Sequence, residues 1–215
     1  NGTLNVGTTY TFSGTNSTQN GVVTTGGNYQ FTGAALTVNE GMAVGGTTTI
    51  NNTGLFTTKN STGTITSTGA FTQNGTGPNS IGADITTSNT NLSFATGITL
   101  TQSVQFSTGA GAGDITLTST VNPQAASTQG LTLVAGTGNI NVTGPVGNLL
   151  RLGALSISSA ANATITNNVT GSSFTQGSGS GTTTFNGNQD YTASFSFTGT
   201  DLVQNGTLNV GTTYT

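Results

Sequence analysis

The sequence predicts an all-β chain: a right-handed parallel β-helix (β-solenoid) of roughly ten coils of about 20 residues, uncapped at both ends. Three observations carry this expectation. Short phrases in which Thr alternates with an apolar residue recur between Gly or Asn, as in GTTYTFSG (7–14), GGNYQFTG (26–33), GGTTTINN (45–52), NLSFATG (91–97), GDITLTS (113–119), GNINVTG (138–144), NATITNN (162–168) and GTTTFNG (181–187). The phrases keep a period: Phe12, Phe31 and Ile50 follow one another at a step of 19, and Gln19, Asn39 and Lys59 at a step of 20. Finally, residues 1–11 (NGTLNVGTTYT) return unchanged as residues 205–215, an offset of 204. A fixed period is the mark of a repeat architecture.

Each element follows from local chemistry. Strict alternation over four to six residues marks a strand with one buried face, and Gly and Asn supply corners that need positive φ. A coil is thus expected to hold two or three short strands. Like strands of successive coils pair in parallel, about 4.8 Å apart, and the crossover sense is right-handed. Phe, Ile, Val and Leu stack inside and Thr and Ser hydroxyls face out. Asn residues at the turns form amide ladders. Burying one Ile or Phe contributes about 1.5–3 kcal/mol, so stacking, not a single coil, makes the fold stable. Residues 1–204 read as one full repeat and 205–215 as the start of the next. Both ends look like ordinary repeat, so the array is expected to continue. Two stretches depart from the pattern. NPQAASTQG (122–130) reads as a loop leaving a coil. PVGNLLRLGAL (145–155), with Leu149, Leu150 and Leu152 around Arg151, reads as a longer loop or an outward patch.

Composition narrows the function classes. The seven charged residues are Glu40, Lys59, Asp84, Asp114, Arg151, Asp190 and Asp201, and Cys, His and Trp are absent. Low net charge and abundant β-branched residues favour ordered strands over disorder. Disulfides and thiolate metal sites are excluded. Two basic residues do not make a patch able to neutralise nucleic-acid phosphates. No apolar run reaches the length of a membrane span.

GDITLTSTV (113–121), GLTLVAGTGNINVTGPVG (130–147) and LGALSISSAANATI (152–165) resemble the large bacterial β-strand-repeat surface proteins, akin to filamentous-haemagglutinin-like adhesins and autotransporter passengers. The resemblance implies a right-handed parallel β-helix, an exported location, and a role in adhesion or surface structure. It carries no catalytic motif.

The candidate chemistry is sparse. Asp84 with Asp114, and Asp190 with Asp201, could be the paired carboxylates of a glycosidase. Asp84 and Asp114 both precede Ile-Thr and are read instead as solvated Asp at the same structural position of nearby coils. GAGAGD (109–114) approaches the calcium-binding nonapeptide, but Ala110 and Ala112 replace two of its glycines. Lys59, Asn39 and Glu40 hold the ingredients of an isopeptide crosslink and are read as a surface ion pair. TTYT, TTTI, TITST and TTTF suggest an ice-binding face, although the Thr spacing drifts after Ile50. Glycosylation sequons at Asn16, Asn60, Asn74, Asn141, Asn162 and Asn168 follow from composition. No catalytic, cofactor or metal residue is assigned, and no enzyme is expected. The function expected is a structural segment of a stiff, protease-resistant extracellular fibre whose partner is itself, end to end and laterally in bundles. The alternative is an adhesin stalk that displays a distal head.

Overall fold

The computed structural model describes residues 2–59 and 62–215. It is a β-solenoid of 29 short strands, with every strand pair parallel and no α-helix among the described residues. The chain winds through three faces per coil. The first coil places Leu4–Val6 on the first face, Tyr10–Ser13 on the second and Asn16–Gln19 on the third. Val23–Thr25, Tyr29–Gly33 and Ala35–Val38 then lie directly over them.

The expected period is present with local variation. On the second face one inward column runs Phe12, Phe31, Ile50, Gln73, Phe94, Leu117, Val142, Ile165, Phe185, Gln204. Neighbours in this column are 19 apart in sequence at both ends of the chain and 25 apart in the middle, between Leu117 and Val142. The strands do not lengthen where the step grows, and the corners absorb the insertions, which is why the period drifts in the sequence after Ile50. Within the phrase of Gln19, Asn39 and Lys59, Gln19 stacks on Val38 and Asn39 lies over Asn20, while Val38 stacks on Thr58. The phrase that repeats at 20 in the sequence mixes the step of 19 from Gln19 to Val38 with the step of 20 from Val38 to Thr58.

Most strands are three residues long with their ends inward and the centre outward, as in Ile65–Ser67 and Ile85–Thr87. Where strands are this short a face presents a single outward file, Thr24, Ala43, Thr66, Thr86 on the first and Thr18, Thr37, Thr57, Ser80, Thr99 on the third; the longer second-face strands near the start present two, Thr11, Gln30, Thr49 and Ser13, Thr32, Asn51. Inside, side chains from all three faces meet on the axis. Phe94 on the second face stacks 5.3 Å from Phe106 on the first and lies 5.3 Å from Phe71 below it. Coils approach so closely at corners that side chains are excluded. A Cβ on Gly77 would fall 1.8 Å from the carbonyl oxygen of Gly54, and one on Gly147, where φ is +70°, would fall 2.0 Å from that of Thr170.

Not every inward position is apolar. Asn52, Gln73 and Asn79 are buried around the corner between the second and third faces. The Gln73 Nε2 donates to Asn52 Oδ1 at 2.7 Å and to the Gly75 carbonyl at 3.0 Å, while its Oε1 accepts from the Ala95 and Thr96 amides at 3.2 and 3.3 Å. The cluster holds the corner backbone from inside, where water cannot reach it.

The two irregular stretches resolve differently. Residues 124–128 form a turn after the strand Val121–Pro123. In the second stretch Val146 remains on the third face, bridging Val121 and Val169. The chain then bulges outward at Leu149 and Leu150, 78% and 41% exposed, before Leu152 returns to the core. Grouping Leu152 with its two neighbours is thereby corrected: it begins the strand Leu152–Ser159.

Replacing Phe94 by Ala opens the stacked column at its middle and is expected to cost about 3–5 kcal/mol. Denaturant unfolding of the variant against the parent checks this, with amide exchange rising first in the coils that carry Phe71 and Phe106.

Candidate functional site

The two carboxylate pairs named in the sequence do not converge. Asp84 stands at the corner before the first-face strand Ile85–Thr87, and Asp114 at the corner before the second-face strand Ile115–Leu117. They are not the same position in two coils, despite sharing the triplet Asp-Ile-Thr. Asp190 is the centre of the third-face strand Gln189–Tyr191, whereas Asp201 opens the second-face strand Asp201–Gln204. Neither carboxylate pair flanks a common groove.

Asp84 and Asp114 bind backbone. The Gln105 amide donates to Asp84 Oδ1 at 2.7 Å, and the Asn139 amide donates to Asp114 Oδ1 at 2.7 Å. Asp114 is one rung of a corner ladder. Asn91 Oδ1 accepts from the Asp114 amide, Asn139 Oδ1 from the Asn162 side chain, and Asn162 Oδ1 from the Thr182 amide. A second ladder runs from Asn168 to the Asn188 amide and from Asn188 to the Thr207 amide. These side chains reach one coil further on, so the turns bear on each other through Asn and Asp as well as through backbone. The sequons at Asn162 and Asn168 fall on these ladders. The Asn60 sequon, and the end of the phrase TTKNS at Ser61, lie outside the described residues.

Asp114 also accounts for GAGAGD. Gly109 adopts φ +84°, and the Gly111 amide donates to Asn89 Oδ1 at 2.6 Å. The segment is a turn held to Asn89 of the preceding coil, and no cluster of three metal-ligating side chains occurs among the described residues. The Asn39 side-chain amide donates to Asn20 Oδ1 at 2.6 Å and so points along its own ladder. The one ion pair among the described residues joins Arg151 to Asp190, not Lys59 to Glu40.

Arg151 is the most heavily engaged side chain on the surface. Its Nη2 pairs with Asp190 Oδ2, and its Nη1 donates to the carbonyls of Gly171 and Asp190 at 3.0 and 2.7 Å. It therefore ties its own coil to the next two, beneath the bulge of Leu149 and Leu150. Beside that bulge is an apolar furrow lined by Pro78, Ile98, Pro123, Leu149 and Leu150. A second furrow, on the first face, is lined by Thr24, Ala43, Thr66, Ser67 and Thr86 and contains no titratable group. The Thr24, Thr66 and Thr86 hydroxyls stand in the outward file of that face and the Ser67 hydroxyl turns inward to Thr48, whereas the phrases TTYT, TTTI and TTTF run into second-face strands.

Two phenols are buried. Tyr29 Oη accepts from Gln19 Nε2, and Tyr191 Oη donates to Gln189 Oε1 at 2.8 Å. Burial holds both above the ordinary phenol range; at Tyr29 the neighbouring Tyr10 adds to this and the Gln19 contact opposes it. Sequence reading does not single these residues out, because an inward Tyr and an outward Tyr differ only in the phase of the alternation.

Comparison with known proteins gives no match: no family model, no curated protein and no solved structure is significantly similar to this chain.

Two outcomes follow. Arg151→Ala removes a charged donor from two carbonyls at a half-exposed corner and is expected to cost about 1 kcal/mol, read from chemical denaturation. The buried phenols make the fold sensitive to alkali. Their protonated form is favoured in the folded state, so stability is level below the unfolded phenol value of about 10 and falls as pH rises above it. Spectrophotometric titration should show two of the four tyrosines ionising only as the fold is lost, and one fewer in Tyr29→Phe.

Proposed function

We propose that this chain is a segment of a long extracellular fibre, a bacterial surface protein built from tandem 204-residue repeats, whose work is mechanical. The observation that carries this reading is that the repeated segment keeps winding. Leu208–Val210 pairs in parallel on Gln189–Tyr191, and Thr213–Tyr214 on Ser194–Phe197, just as any interior coil pairs on the one before it. Stiffness comes from hydrogen-bond ladders on all three sides of an apolar column. Bending must stretch one ladder while compressing the others.

The surface chemistry agrees with that role. Trypsin has only Lys59 and Arg151 to cut, and Arg151 is held by two further coils. With five acidic and two basic residues in the repeat, little charge is left to repel a neighbouring fibre, which favours bundling. The likeness of residues 113–165 to bacterial β-strand-repeat proteins fits export to the cell surface.

Denaturing electrophoresis of the native material and antibody labelling of intact cells test the proposal. A chain many times heavier than 21.2 kDa and label along surface filaments are expected. A band near that mass with label confined inside cells overturns it. Label that stops at one distal head identifies the adhesin stalk instead.

A further inference from the structure

The two copies of NGTLNVGTTYT do not lie on the same face. Leu4–Val6 is on the first face, in the column that continues through Val23, Met42 and Ile65. Leu208–Val210 is on the third, in the column that descends through Gln189, Val169, Val146 and Val121 to Ile98. Likewise Tyr10 belongs to the second face, over which Tyr29 and Thr48 follow, whereas Tyr214 sits on Phe195 and Phe174 of the first. Between the copies the chain completes nine coils and two further faces. The sequence repeat is not a whole number of turns.

We infer that consecutive repeats join through a seamless coil that sets each repeat one face, a third of a turn, out of phase with the last. The inference rests on the tandem-array reading above and adds its geometry. The partner for the end coil is thus a second copy of this sequence, in one orientation only.

Several columns that reach the end find their match at that offset. The coil is the same length at both ends: Leu208 follows Gln189, and Val23 follows Leu4, at the same step of 19. With residues 205–215 serving as residues 1–11 of the following repeat, four columns cross the junction. The aromatic column runs Phe174, Phe195, Tyr214 and then Tyr29 of the following repeat. Its observed ring separations are 4.9 and 5.4 Å on one side, and 5.3 Å between Tyr10 and Tyr29 on the other. The exposed Asn ladder runs Asn186 to Asn205, 2.8 Å, and meets Asn20 of the following repeat, which bonds Asn39 at 2.6 Å. The corner glycines run Gly187, Gly206 and then Gly21; a Cβ would be 2.2 Å from a carbonyl at Gly206 and 1.9 Å from one at Gly21. Finally, Gln19 of the following repeat arrives one coil after Gln204, on the same face. The Oε1 atoms of Gln19 and Gln204 are both buried without a hydrogen-bond partner in the chain as it stands. Two glutamines, each with a buried and unpaired side-chain carbonyl, meet as neighbouring rungs of an amide ladder. Joined without the step, Asn20 and Asn205 would fall on different corners and Gln19 and Gln204 on different faces.

The consequence is a filament whose sequence period and surface period differ. One repeat advances about 46 Å at the usual strand spacing, and only three repeats, 29 coils, return a residue to its starting face after about 140 Å. Each outward feature, Leu149 among them, then points in three directions around the axis, so neighbouring filaments are met on three sides.

Cryo-electron microscopy of a chain with three consecutive copies of residues 1–204 tests this, each copy carrying Thr24→Cys labelled with a gold cluster. The expected particle is one straight rod with labels about 46 Å apart along it. Traced against the sheets in the same map, the labels occupy three different faces. The sheet holding Phe174 and Phe195 of one repeat then continues into Tyr29 of the next. Labels on a single face of an unbroken rod overturn the phase step and leave the array reading standing. Three rods joined by hinges overturn both.

Discussion

The constraint on which the rest of this structure depends is coil-to-coil registry. In a solenoid the spatial neighbours of a residue are the residues one coil before and one coil after it, whatever the sequence does in between. A parallel ladder fixes that relation at strand spacing on every face. Each inward column must then be fillable by stacking like on like, and each corner must admit a second backbone within van der Waals reach. The stacked Phe rings, the Asn and Asp ladders and the glycine corners are three answers to one requirement. So are the exceptions: Asn52, Gln73 and Asn79 enter the core because corner amides and carbonyls that cannot reach water must find partners there.

Much of this is legible in the sequence. Alternation reveals the strands, and the even recurrence of Phe12, Phe31 and Ile50 reveals the coil. Three short strands per coil leave room for little else. The middle of the chain is harder to read because insertions sit in corners and leave no trace in the alternation. The column steps directly from Ile50 to Gln73 and from Leu117 to Val142. Both steps are longer than the one from Phe12 to Phe31, yet the strands they join are ordinary. Leu152 shows the same difficulty at one residue. Beside Leu149 and Leu150 it looks like part of an apolar patch, and only the bridge at Val146 fixes the phase that turns it inward.

The charges mislead for a related reason. Asp-Ile-Thr at Asp84 and at Asp114 suggests equivalent positions, since a short strand preceded by a polar corner residue looks alike on every face. Three-residue strands carry no label saying which side of the triangle they occupy. What identifies the face is the running count of corners, and one miscounted corner changes it. These two carboxylates accept from backbone amides one coil further on, the same task that Asn91 and Asn162 perform without charge. A surface so poor in charge follows when neutral amides do most of that work.

That interchangeability of faces is also what lets the repeat be incommensurate with the coil. Near the start, the closest approach of consecutive strands is at the second-to-third corner, where Tyr29–Gly33 is followed at once by Ala35–Val38. Further on it has moved to the third-to-first corner, which Val169–Gln176 turns as one unbroken strand. The bulge before Leu152 and the eight-residue strand Leu152–Ser159 lie where the shift is made. The triangle has not been rebuilt; its tightest vertex has been handed to the next edge. Because all three faces are parallel, similarly spaced and filled from the same few residue types, the handover leaves the ladders intact. A solenoid with one specialised face, such as a flat ligand-binding plane, could not accept such a shift, since the special residues would rotate away from their target at every repeat. Tolerance of the shift is therefore consistent with the proposed fibre, in which load is carried around the whole circumference.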